Sequence, residues 1–172
     1  MPMIPFEDNY LSQEQAQAII RVLEHQCNLI EEKETRDERD FPELYNEEYI
    51  SGRTHTRTAQ IYAGFHDGNE ILDMSITKIK YGKNLYQPQL ESDIAIIQMY
   101  SSKASLDIDE IKRKCSEYNT EESEKRYIAL RFYTSKRGHL TQVQLVHFDK
   151  DARIISKTPI YKFRADIIEF VA

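Results

Sequence analysis

Apolar residues recur along this chain in two rhythms, and the change from one to the other marks out its elements. Ala16, Ile19, Ile20, Leu23, Cys27 and Ile30 fall at intervals that line one face of a helix. Ser12 precedes the run and Gln15 stands three residues on, the spacing at which a serine side chain and a glutamine side chain satisfy each other's free backbone amides. A helix is therefore predicted over Gln13–Glu34. Before it, Met1–Leu11 mixes Pro2 and Pro5 with Ile4, Phe6 and Tyr10 and reads as an irregular arm held down by its hydrophobes. The helical rhythm returns at Ile108, Ile111, Cys115 and Tyr118. Asp107 and Glu110 have the capping spacing there, and Leu106 is placed to staple onto Ile111.

Between and after these helices the rhythm is that of strands. Thr58–Phe65 and Glu70–Lys80 are predicted to form a hairpin about His66-Asp67-Gly68-Asn69, because Asp-Gly suits the positive φ angles of a type I′ turn. By period two, Leu72, Met74 and Ile76 share one face, and Ile71, Asp73 and Ser75 share the other. Gly82–Gln89 is polar and reads as a loop. Asp93–Tyr100 contains Ile94-Ala95-Ile96-Ile97, apolar on both faces, which marks a central strand. Tyr127–Thr134 and Leu140–Phe148 flank a Lys136-Arg137-Gly138 turn and form a second hairpin. Arg153–Lys157 follows the Asp149–Ala152 turn, and Pro159 confines what comes next to an edge or a break. The apolar tail Arg164–Ala172 fits either a helix or a strand. The expected fold class is α+β: a mainly antiparallel sheet built from hairpins, with two amphipathic helices packed on one side, in a single domain over residues 1–172.

Composition sharpens this outline in a few places. A 40% hydrophobic fraction over 172 residues is enough for one buried core. Eleven tyrosines and no tryptophan point to many half-buried rings, in the sheet or at a contact surface. Cys27 and Cys115 fall on apolar helix faces and read as small buried hydrophobes of a reducing compartment. No apolar run is long enough for a membrane span, so a cytoplasmic location and no membrane partner are expected. The net charge of -6 argues against a general nucleic-acid binder while leaving room for a local basic patch. Glu31–Glu48 holds nine acids and three bases. Residues 35–50 are expected to form an acidic surface segment, solvated or docking a basic partner, and Pro42 is expected to end the helix.

Familiar catalytic motifs are missing. The glycines are too scattered for a phosphate loop, and neither Gly-x-Ser-x-Gly, Cys-x-x-Cys nor His-Glu-x-x-His occurs. A magnesium-dependent nuclease needs carboxylates on adjacent strands with a lysine nearby. Asp73, with Glu91 or Asp93 and Lys103, is the set the chain offers, but the acidic-x-Lys strand ending of restriction-type nucleases is replaced by Gln98 and Tyr100. Arg53, His55 and Arg57 alternate along what the β reading makes a strand, so they can converge on a phosphate or carboxylate, with His55 as an acid or base. The plainer reading is a charged edge strand. Lys136 and Arg137, beside His139, form a second basic cluster in a turn, and Lys112-Arg113-Lys114 reads as a solvated helix face. Together these features lead to the expectation of a small soluble interaction or regulatory protein, microbial or viral in character. It would have no cofactor and would bind a macromolecule, foremost a protein and alternatively nucleic acid, through its sheet or acidic segment. The other candidate function is a magnesium-dependent nuclease or phosphodiesterase using carboxylates around Asp73 and Asp93.

Overall fold

A computed structural model describes residues 3–43, 45–46, 54–65, 70–81, 85–102 and 107–163. The turn at His66–Asn69, Arg53, Lys103, Leu106 and the tail from Arg164 lie outside these residues, as does the side chain of His55. Within them the elements run α1 (Gln13–Asp40), α2 (Thr54–Ala63), β1 (Glu70–Ile71), β2 (Met74–Tyr81), β3 (Leu85–Glu91), β4 (Ala95–Ser101), α3 (Ile108–Tyr118), β5 (Arg126–Thr134), β6 (Leu140–Phe148) and β7 (Ile154–Lys162). All seven strands belong to one sheet, in the order of the chain.

The first helix begins as its residues dictate. Ser12 accepts from the Gln15 amide and Gln15 Oε1 accepts from the Ser12 amide, both at 3.1 Å. The helix runs past Glu34 to Asp40, where Phe41 caps it immediately before Pro42. At 28 residues it is about 42 Å long and spans the sheet. Ala16, Ile19, Ile20, Leu23, Cys27 and Ile30 are buried on its inner face.

The segment expected to open the first hairpin is instead helical, over Thr54–Ala63. Its threonines and tyrosine suggest β structure, but Ile61 and Phe65 are buried four residues apart, the spacing of one helical stripe. That stripe lies against α1. Gly64 leaves room for the Gln26 side chain of α1, since a Cβ there would fall 2.7 Å from its Cγ. The hairpin exists one step later. Leu72 and Asp73 both have positive φ, 42° and 66°, and join β1 to β2 in a two-residue turn. Met74 and Ile76 face the core as expected, whereas Leu72 sits in the turn and is 52% exposed.

Two further departures concern the sheet. The polar stretch expected as a loop contains β3, which pairs antiparallel with β2 and β4. Pro88 is tolerated there because β4 pairs only with Gln89–Glu91, so no ladder bond is asked of its missing N–H on that side. More consequentially, β4 and β5 are parallel. Parallel neighbours need a crossover connection, and α3 supplies it. The helices therefore do not share one side. Ala95, Ile97 and Met99 of β4 join the core under α1 and α2, while Ile96 and Tyr100 join a second cluster with Cys115. The sheet is otherwise antiparallel, with helices on both faces.

Edges and ends are tied down by specific contacts. Pro159 lies in β7 at the sheet edge, and a register shift there lets Ile160 drop into the core. The N-terminal arm extends that edge, the Ile4 amide donating to the Ile160 carbonyl at 3.0 Å. Asp8 anchors the arm, accepting from the Tyr10 and Leu11 amides and lying 2.6 Å from His147 Nε2. Burial resists ionisation of Asp8, but the His147 contact and the two amides outweigh it and hold the carboxyl below its usual range. A depressed acid stabilises the fold above its unfolded pKa of about 3.9, and this contribution is lost as pH falls through the folded value. Asp8→Asn is thus expected to lower the unfolding free energy at pH 6 and to flatten its decline below about pH 4. Urea titrations at several acidic pH values measure this, and parallel curves for the two proteins would contradict it.

Candidate functional site

Three groups of polar residues deserve a functional reading. The first contains most of the basic residues singled out in the sequence. Arg57 lies on α2, where its Nε donates to Glu34 Oε1 at 3.1 Å and its Nη2 reaches Glu34 Oε2 and, at 2.6 Å, the carbonyl of Lys136. Its side chain is 13% exposed and that of Glu34 only 2%. Arg137 pairs with Glu38, and His139 Nδ1 is 2.7 Å from Glu31 Oε2. Glu31, Glu34 and Glu38 occupy one stripe of α1 by their spacing. The acidic run is therefore partly an internal seam, onto which α2 and the β5–β6 turn close. Arg57, Lys136 and Arg137 are brought together, as a binding patch would require, but Arg57 and Arg137 are engaged with carboxylates. Lys136 is exposed in the turn, and His55 contributes a helical backbone position. Beside the seam, α1 and α2 enclose a groove of about 240 Å³ lined by Leu29, Ile30, Lys33, Arg36, Gln60 and the Arg57–Glu34 pair.

The second group is the carboxylates. Asp73 stands in the β1–β2 turn and Asp93 in the turn from β3 to β4, both exposed. Glu91 is paired with Lys125. Among the described residues no three or more His, Cys, Asp or Glu side chains are grouped to hold a metal ion.

The third group lies on the α3 side of the sheet. Gln89 and Gln98 are cross-strand partners on β3 and β4, and Lys114 Nζ reaches the Oε1 of each at 3.3 Å. The Tyr127 hydroxyl donates to Gln98 Oε1 at 2.7 Å, and the ammonium sits 5.7 Å from the centre of the Tyr127 ring. Lys114 is only 5% exposed. Burial pushes its pKa down, partly opposed by the Glu110 carboxylate. Burial also pushes the Tyr127 hydroxyl up. Side-chain oxygens on adjacent strands with a lysine between them are the arrangement that metal-assisted phosphodiester hydrolysis asks for. Here both oxygens belong to neutral amides and accept from the lysine, so this cluster lacks the charged ligands a hard divalent cation prefers. Lys114 thus departs from the solvated face expected for Lys112–Lys114. Ile111, three residues before Lys114, and Tyr118, four after, were the available signal that Lys114 faces inward.

Beyond α3 the same face has Tyr100 buried, Arg131, Tyr133 and Gln144 half-buried, and Lys157 and Lys162 exposed on β7. At 11 residues the helix is about 16 Å long and covers Ile96, Tyr127, Val146 and Phe148. Further along the strands, Arg131 lies over the Tyr133 ring at 5.0 Å, and the Tyr133 hydroxyl donates to Gln144 Oε1 at 3.2 Å. Tyr100 is the cross-strand partner of Arg131. Burial raises its pKa, opposed by the Arg131 charge and reinforced by Tyr133. Arg131 Nε is buried with no hydrogen-bond partner among the described residues. Leaving such a donor unmatched costs about 1–3 kcal/mol.

No family model, curated protein or solved structure matches the chain.

The seam makes a quantitative statement about Arg57. Removing one member of a buried, hydrogen-bonded pair strands the other, at about 3–5 kcal/mol. Arg57→Ala should therefore lower the unfolding free energy by about that much, and Arg57→Lys, without the fork, should recover only part of it. Chemical denaturation decides between this and a surface arginine, whose loss would change stability by less than about 0.5 kcal/mol.

Proposed function

We propose that the protein is a small interaction or regulatory protein that binds a macromolecular partner through the α3-side face of its sheet. The observation that carries this reading is the half-buried Arg131–Tyr133 pair beyond α3, whose arginine makes no ion pair among the described residues and which shares its face with the exposed Lys157 and Lys162. Tyrosine and arginine are the residues that dominate the energetics of binding surfaces, because each offers a large rigid contact and directed hydrogen bonds. The acidic stripe of α1 is the weaker candidate, since Glu31, Glu34 and Glu38 are already matched by residues of the chain. Neutral Gln89 and Gln98 beside Lys114 favour binding over metal-assisted hydrolysis at that cluster. Two buried free cysteines suit a reducing cytoplasm, and no helix among the described residues is long and apolar enough to cross a membrane.

Photo-crosslinking tests the assignment directly. With benzoylphenylalanine at Tyr133 in the native cells, discrete adducts are expected, reduced at least about tenfold by Arg131→Ala. The same group at Asn28, exposed on α1, should give none. Equal yields from the two positions, or none from either, would overturn the proposal. In parallel, the purified protein should leave labelled DNA and RNA intact in magnesium or manganese. Cleavage that Asp73→Ala or Asp93→Ala abolishes would establish the metal-dependent nuclease in its place.

A further inference from the structure

The strands beyond α3 present an unusual balance of charge for an acidic chain. Alternation and register place Tyr100, Arg131, Tyr133, Gln144, Lys157 and Lys162 on this one face of β4 to β7. Arg131, Lys157 and Lys162 make no ion pair among the described residues. The positions that β4–β7 contribute to this face carry no Asp or Glu, in a protein whose net charge is -6. On α3, Glu110 is held by Arg113 and Lys114. Local charge of this sign selects an anionic partner. The planar groups narrow the choice further. A guanidinium lying over a tyrosine ring on a four-stranded floor is suited to stacking on flat, exposed bases, while flanking lysines follow a phosphate backbone. A duplex hides its base faces and offers only the phosphates. An acidic peptide matches the cations and makes no use of the rings.

We infer that the α3-side face is a binding site for single-stranded nucleic acid. Tyr133 and Arg131 form the stacking platform, and Lys157 and Lys162 track the phosphates. The inference rests on the reading of this face as the docking surface and names the class of its partner. The Arg131 charge, which no carboxylate among the described residues pairs, is the one a phosphate would neutralise.

Fluorescence anisotropy with labelled 20-nucleotide oligo-U and oligo-dT, a 20-base-pair duplex and an oligoglutamate peptide tests it. Both single strands should bind in preference to the duplex and the peptide. Three cations on phosphates give a log–log salt slope of roughly -2. Arg131→Ala and Tyr133→Leu should each weaken binding about tenfold, and Asn28→Ala should leave it unchanged. The double variant Lys157→Ala/Lys162→Ala, at exposed strand positions that leave the core intact, should flatten the slope to roughly -0.7. No binding of either single strand at low salt, binding indifferent to all these substitutions, or a preference for the peptide would overturn the inference. Should that happen while Tyr133 still crosslinks to a protein, the docking face stands and only the class of partner is wrong.

Discussion

The parallel pairing of β4 with β5 is the constraint on which the rest of the molecule depends. Antiparallel neighbours can be joined by a tight turn, but β5 must start from the same end of the sheet as β4, so the chain has to travel back across a face. That return path is α3. Its presence makes β4 a strand buried on both sides, with Ala95, Ile97 and Met99 under α1 and Ile96 and Tyr100 under α3. The same crossover carries Lys114 onto Gln89 and Gln98, and beyond its short helix the β7 positions Lys157 and Lys162 on that face are exposed. Core, buried polar cluster and the half-buried Arg131–Tyr133 pair on the α3 side all follow from one strand direction.

Electrostatics is divided between the two faces in a consistent way. On the α1 side, carboxylates spaced along one helical stripe are matched by Arg57, Arg137 and His139, so opposite charges are spent on assembling the fold. Gly138, with φ of 93° and no room for a Cβ beside Ile30, lets the β5–β6 turn come close enough to make those pairs. On the α3 side Arg131 of β5 and Lys157 and Lys162 of β7 have no such partners among the described residues. A surface that leaves arginine and lysine uncompensated is available for an external anion, whereas one that has already paired them is structural.

Much of the framework was legible from residues alone. Ser12 and Gln15 mark the start of α1, Asp107 marks the cap of α3, and the unbroken apolar run at Ile94–Ile97 marks the central strand, because each signal acts over a few residues or reports burial directly. The misreadings have equally local causes. Thr58–Phe65 has β-branched and aromatic residues, yet Ile61 and Phe65 find their burial against α1 only as a helix. Polar Leu85–Glu91 lacks alternation because β3 is held by its neighbours in the sheet more than by a hydrophobic face. For the candidate site, the tyrosine content and the isolated amide Gln98 were visible, but nothing in the linear order joins Tyr100 to Arg131 or Gln89 to Lys114.

Local signals thus settle where helices begin, which strand is central and that the chain is an α+β protein, since capping, periodicity and turn geometry involve residues close in sequence. The direction of β5 relative to β4, the side on which each helix packs and the pairing of Arg57 with Glu34 belong to the tertiary structure alone. They are set by which buried surfaces and charges can be satisfied together, and those partners stand 23 residues apart for Glu34 and Arg57 and 25 for Gln89 and Lys114. The same selection decided which basic residues became part of the scaffold and which, like Lys157 and Lys162, were left exposed.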